Sequence, residues 1–291
     1  MTFEIGLAVA LIPPLILLFF IWKVDKLEHE PVSLILKVML FGALSCIPAI
    51  VLEIGASYVT EPLYYQNMWT YFIVDNFFGV ALMEELVKMA VIFLVVWRHK
   101  EFNCLFDGIV YGAASSLGFA ALENVKYVMG YGIGTGLVRS FTAIPGHFIF
   151  GVIMGLFLGL AKCAKYDKKA GKKWLCLLLA LALPVFVHGY YDYLLTVAEY
   201  APLAESIWWV YLVAMYIVGI VIIIVAGKKD RRINMDLGYS GEPLAAGTTS
   251  PMAAAVASTV DGIFGSAPVA IPVAKPVNPT DAVTRVDYFS K

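Results

Sequence analysis

The sequence predicts an all-α fold, a polytopic transmembrane helix bundle of about seven spans, and three observations carry that prediction. The 291-residue chain is 60% hydrophobic and only 15% charged, with a mean hydropathy of +0.80, against about 25% charged residues in a soluble domain. Seven stretches reach the length of about 20 apolar residues that a helix needs to cross a bilayer core. All six tryptophans, Trp22, Trp69, Trp97, Trp174, Trp208 and Trp209, fall at the ends of those stretches, where an amphipathic indole meets the membrane interface. The sequence lacks the segments of about ten residues with alternating polarity that a membrane barrel requires. A net charge of -1 excludes a strongly basic nucleic-acid binder. Cys46, Cys104, Cys163 and Cys176 show no CxxC pairing, so they read as buried thiols rather than a disulfide framework or a zinc knuckle.

The first span, about 3–22, has no basic segment before it and no small-residue cleavage site after it, and is expected to be retained. The second, 32–52, carries only Lys37 near its boundary. The third, 71–97, contains Glu84, Glu85 and Lys88 in LMEELVKMA; the fourth, 105–128, contains Asp107 near its start and Glu123. His147 stands in the fifth, 138–161, and His188 with Asp192 in the sixth, 174–197, while the seventh, 206–226, has no ionisable group of these kinds. Fourteen Lys and Arg collect in the loops after the first, third, fifth and seventh spans, which predicts an N-terminus outside and a C-terminus in the cytoplasm. The bundle is expected over 1–232, with a chemically active core over about 71–197. From 233 to 291 the composition turns to Ala, Pro, Val, Ser, Thr and Gly without helical period, as expected of a disordered cytoplasmic tail.

An ionisable group inside a bilayer costs several kcal/mol unless it is paired or faces a polar cavity. Glu84, Glu85, Lys88, Glu123, His147, His188 and Asp192 are therefore the candidate functional residues. At 100° per residue, Lys88 lies about 40° round the helix from Glu84 and about 60° from Glu85, so it can balance either carboxylate. His188 and Asp192, four apart, share a face, and the carboxylate can hold the imidazole in one tautomer. His147 continues a stripe of Gly151, Gly155 and Gly159, spacing that lets helices approach closely. Rise per residue puts Glu84 about 18 to 20 Å from either end of its span, His147 and His188 about 14 Å from the outer surface and Glu123 about 8 Å. Pro145 and Pro184 are expected to bend their helices and open a wet cavity. Carboxylate and imidazole in such a cavity activate water by general-base catalysis or through a metal. Asp107, within a turn of its helix start, reads as a cap. A proton relay in a proton-coupled transporter needs similar groups, although no internal repeat supports that alternative.

With Glu84, Glu85 and Lys88 followed by Phe119 and Glu123 in FAALE, then His147, then His188 and Asp192, the chain resembles the PrsW family of intramembrane proteases, related to the CAAX prenyl endopeptidases. The text DGIVYGAASSLGFAALENVKY, including Asn124, also matches the family's second motif, and the resemblance covers about residues 75–197. It implies that Glu84 or Glu85 activates the water that attacks a peptide bond, with His147 and His188 stabilising the oxyanion or binding a metal. Lys88, Glu123, Asp192, Phe119 and Asn124 would support them. Two mechanisms stay open: a metal-free one, or a divalent metal such as zinc held by Glu123, His147 and His188, without an HExxH motif. The implied substrate is a single-span protein in the lipid bilayer of the cell membrane, such as an anti-sigma factor, with no nucleic-acid partner.

Overall fold

The computed structural model describes residues 3–233; the predicted tail lies outside them. Among the described residues the fold is all helix, apart from an isolated bridge between Cys104 and Arg232. Helix α1 spans Phe3–Val24, α2 Val32–Leu44, α3 Cys46–Gln66 and α4 Met68–Val74. A π-helical segment, Asp75–Ala81, leads into α5, Leu82–Val95. There follow α6 (Leu105–Tyr131), α7 (Ile133–Phe141), α8 (Ala143–Tyr166), α9 (Ala170–Ala198) and α10 (Pro202–Lys228). Six stretches are long and apolar enough to cross a membrane: Glu4–Val24, Val32–Gln66, Leu105–Tyr131, Ile133–Tyr166, Ala170–Ala198 and Pro202–Lys228. The third predicted span is built instead from α4, the π segment and α5, and carries the charges of Glu84, Glu85 and Lys88. The chain is a multi-pass membrane protein.

Glycine decides which helices sit closest. A Cβ on Gly112 would stand 2.2 Å from the Gly151 carbonyl oxygen, and one on Gly108 2.3 Å from that of Gly155. The backbones of α6 and α8 therefore touch, as the small-residue stripe predicts. On its other side α6 meets α2 equally closely, Gly42 against the Ser115 carbonyl and Gly118 against that of Met39. That tight approach ends at Ser45. Pro48 has no N–H to give Leu44, so the α-helical ladder is interrupted, and α3 leaves α6 at an angle the sequence did not announce.

Two other spans depart from simple helices. The third was expected to be a plain helix over 71–97, yet its middle winds as a π-helix, and the start of that segment is hydrogen-bonded to both neighbours. Thr60 of α3 donates to Asp75 Oδ1 at 2.7 Å, and Thr196 of α9 donates to Asn76 Oδ1 at 3.1 Å. The fifth, expected as 138–161, is two helices broken at Thr142. Pro145 accounts for the break, since it cannot serve the Phe141 carbonyl; Tyr216 of α10 donates its hydroxyl there instead, at 2.5 Å. Pro145 therefore lies in the first turn of α8 rather than kinking its interior, whereas Pro184 lies within a continuous α9. Asp107 caps α6 as its position suggests, accepting from the N–H groups of Asn103 at 2.7 Å and Cys104 at 2.6 Å.

Candidate active site

Lys88 sits at the centre of the site with no exposed surface. Its ammonium donates to Glu84 Oε2 at 2.9 Å and Glu85 Oε1 at 2.8 Å, and lies 3.1 Å from His147 Nδ1. The Phe119 ring covers it at 4.2 Å. Helical spacing on α5 produces the two carboxylate contacts, and Ser115 of α6 fixes the turn by donating to the Lys88 carbonyl at 2.9 Å. A buried cation is tolerated only when paired and hydrogen-bonded in this way.

Two branches extend from that centre. On one side, His188 Nδ1 lies 3.0 Å from Glu85 Oε1 and its Nε2 3.1 Å from Asp192 Oδ2. Both ring nitrogens thus face carboxylate oxygens, an arrangement that a doubly protonated ring satisfies. Phe150 stacks on this imidazole, with centroids 4.7 Å apart. On the other side, His147 Nε2 lies 3.0 Å from Glu123 Oε2, and the same oxygen accepts from Arg139 Nη2 at 2.6 Å. Arg139 also donates through Nε to Asn124 Oδ1 at 3.2 Å and stacks over Tyr127 at 3.8 Å. Since Lys88 has only protons to offer Nδ1, the His147 ring carries its proton on Nε2 and gives it to Glu123.

The predicted residues therefore form one network, but in two layers. Ligand atoms of Glu84, Glu85, His147 and His188 all lie within 4.8 Å of one another and all four residues are buried. Glu123, grouped with the two histidines as a metal ligand in the sequence reading, stands outside that set, held behind His147 by Arg139. Phe119, Asn124 and Asp192 line or brace the network. Arg139 is the residue that sequence reasoning passed over. It looked like a charge near a helix end, and only the turn at Gly132, whose φ of 89° lets α7 fold back onto α6, brings it inward.

Beside the network runs a cleft of about 300 Å³ between α3 and α6, with Glu84, Phe119 and Glu123 at its floor. Glu84 and Glu123 are thus the network carboxylates that reach it. Glu85 is fully buried, its Oε1 shared between Lys88 and His188, and its Oε2 has no hydrogen-bond partner.

Paired carboxylates and imidazoles beside a cleft in a membrane helix bundle are the groups that a membrane-embedded hydrolase needs to activate water. Over residues 30–226 the chain matches the family model described as PrsW family intramembrane metalloprotease. It is 36% identical over 190 residues to Protease PrsW of Geobacillus kaustophilus, covering 64% of this chain and 78% of that protein. Against Protease PrsW of Halalkalibacterium halodurans it is 33% identical over 210 residues, 70% of this chain and 92% of that one. The corresponding Bacillus subtilis protein is 33% identical over 202 residues, 68% and 88%. No solved structure matches the chain. The chain belongs to the PrsW family of intramembrane proteases. It is a peptidase, and the transporter alternative falls away.

Proposed function

We propose that Glu84 is the general base of peptide hydrolysis on a single-span membrane protein, of which an anti-sigma factor is the example the family resemblance implies. One observation carries the choice of Glu84: it is the carboxylate that both lines the cleft and has a single hydrogen-bond partner, Lys88 at 2.9 Å, with His188 Nε2 next at 3.9 Å. Glu123 also lines the cleft but is bound by Arg139 and His147, and Glu85 is enclosed. Glu84 takes a proton from water as the oxygen bonds to the scissile carbonyl carbon. The carbonyl oxygen gains the negative charge, which the Lys88 ammonium and the neighbouring imidazoles offset. Collapse breaks the C–N bond, and Glu84 returns its proton to the departing amine. Glu85 holds Lys88 and His188 in position.

The family's description implies a metal. The four convergent donors Glu84, Glu85, His147 and His188 suit a divalent cation in kind, and it would lower the pKa of a bound water. The Lys88 ammonium lies against three of these four donors, so the chain supplies its own cation to the same oxygen and nitrogen atoms. A metal held there requires that ammonium to withdraw.

The distribution of Lys and Arg supports an enzyme of the cell membrane with its N-terminus outside and its tail in the cytoplasm. Purified protein in liposomes with a single-span substrate tests the catalytic reading. Glu84→Gln is expected to lose cleavage by at least ~100-fold and, since it removes a carboxylate from the buried Lys88 ammonium, to lower the melting temperature. Glu85→Gln is expected to lose activity and also ~3–5 kcal/mol of stability, because it strips a carboxylate from a buried cation. His147→Ala and His188→Ala are expected to be inactive. Wild-type rates in all four variants would refute the assignment.

A further inference from the structure

Lysine is concentrated where α8 passes into α9. Five of the nine residues 165–173 are Lys, with Asp167 as the one acid among them, and Lys228, Lys229 and Arg231 stand at the end of α10. The turn between α8 and α9 keeps its charge against the backbone's preference. Lys168 has a φ of 57°, its N–H donating to the Lys165 carbonyl at 3.2 Å, and the Lys169 N–H donates to the Ala164 carbonyl at 2.9 Å. This way of closing a helix suits glycine, which lacks the Cβ that crowds a left-handed residue.

The two basic segments meet in space. Arg231 Nη2 lies 3.4 Å and Lys169 Nζ 3.9 Å from the same oxygen, Asp167 Oδ2. Asp230, the other acid nearby, is turned onto α6, where it accepts from the Phe106 N–H at 2.9 Å. Among the described residues, Lys165, Lys168, Lys172, Lys173, Lys228 and Lys229 form no ion pair, so the junction gathers positive charge that the fold does not balance. Apolar surface begins directly beside it. Helix α9 passes from Lys173 to exposed Trp174, Leu175 and Leu178, and α10, packed against it, reaches Lys228 through exposed Ile224 and Val225. The Lys173 ammonium lies over the Trp174 ring at 4.0 Å, and an indole beside an ammonium is what the membrane interface favours.

We infer that this junction of α8, α9 and α10 is a binding site for anionic phospholipid, its phosphate among the Lys and Arg side chains and its acyl chains along α9 and α10. Cations gathered just beyond the ends of membrane helices attract anionic headgroups. Charge and apolar flank together define the ligand. A free anion gains nothing from Trp174, Leu175 or Ile224, and a neutral lipid leaves the ammonium groups repelling one another. The two helices joined at the turn carry His147 and His188, so the lipid stabilises the fold on which both imidazoles depend. The site is independent of which carboxylate acts as the general base.

Full-length protein in neutral detergent micelles tests the site, with fluorescent phosphatidylglycerol reporting binding. Phosphatidylglycerol is expected to raise the melting temperature by several degrees, whereas phosphatidylcholine and inorganic phosphate are not. Lys172→Gln combined with Lys173→Gln is expected to weaken phosphatidylglycerol binding at least ~10-fold while keeping the lipid-free melting temperature. Arg98→Gln combined with Lys100→Gln removes the same charge from another loop at this end of the bundle, and is expected to leave binding unchanged. Equal weakening by the two pairs would reduce the effect to net charge and overturn the site. Phosphatidylcholine binding as tightly as phosphatidylglycerol, or displacement of the lipid by millimolar inorganic phosphate, would overturn it as well.

Discussion

Arg139 and Lys88 show what single residues contribute to this site. Arg139 spans Glu123 and Asn124 with two different nitrogens, and so keeps Glu123 against His147. Arg139→Gln is expected to lower kcat by ~10–100-fold with little change in KM, and Arg139→Lys to restore little, since an ammonium cannot bridge both partners. A KM increase at constant kcat would instead assign Arg139 to substrate binding. For Lys88, the competing-cation reading makes metal affinity the measurement. Cobalt(II) titrated into Lys88→Met is expected to bind at least ~10-fold more tightly than into wild type, read from its absorption bands independently of activity. Equal affinities would show that the ammonium does not occupy the metal's place. Glu84, Glu85, Lys88, Glu123, His147, His188 and Asp192 were legible because a charge inside an apolar run has few bland explanations. Arg139 was not, because its run ends nearby and a chain reversal cannot be read from hydropathy; the only trace was the amphipathic spacing of 133–141. Nor did spacing distinguish Glu84 from Glu85, which differ in what lies opposite them and not in sequence context.

At the scale of elements, backbone contact rather than side-chain interlock joins the central helices. Gly112→Val is expected to lower the melting temperature markedly or abolish folding, because the added Cβ meets a backbone oxygen that cannot yield. Gly55→Ala, with nothing within 4 Å of the added carbon, is expected to be neutral or slightly stabilising. Thermal unfolding in detergent compares the two, and a tolerated Gly112→Val would contradict the contact. The α6 and α8 pairing was visible in the Gly108, Gly112, Gly151, Gly155 and Gly159 stripes. The outward turn at Ser45 was not, although Pro48 was its signal. A proline early in a long apolar run marks a lost hydrogen bond but says nothing of the direction in which the helix continues. The split of the third span was hidden for a different reason: the hydroxyls bonded to its π segment, Thr60 and Thr196, belong to helices that hydropathy does not place beside it.

Across the whole molecule, the helix ends opposite the cleft are tied by buried acids. Glu30, in the loop between α1 and α2, accepts from the Tyr111 hydroxyl on α6 and is 3% exposed. Burial, with the nearby Asp107 charge, pushes its carboxyl up to about 9; burial with Asp107 and Asp230 pushes Asp25 up to about 7. The folded protein thus holds these protons more tightly than the unfolded chain. Their stabilisation is complete below the ordinary carboxylate value and is lost as pH rises through about 7 and about 9. Melting temperature is expected to fall between pH ~5 and ~9, with Glu30→Gln flattening much of that decline. A wild-type melting temperature that does not change with pH would contradict the buried protons. Six of the seven expected spans and the composition that excludes a soluble fold were legible from hydropathy alone, because the bilayer sets helix length. A different vulnerability arises in the third span. A π turn contains one residue more than the α turn it replaces, so removing one codon from 75–81 would let that stretch wind regularly while the helix on either side keeps nearly its present orientation. One codon added between 82 and 84 would instead turn everything before it by about 100° relative to Glu84, and Asp75 and Asn76 would lose their partners on two separate helices at once. The π stretch thus tolerates the loss of a residue better than the regular helix after it tolerates a gain.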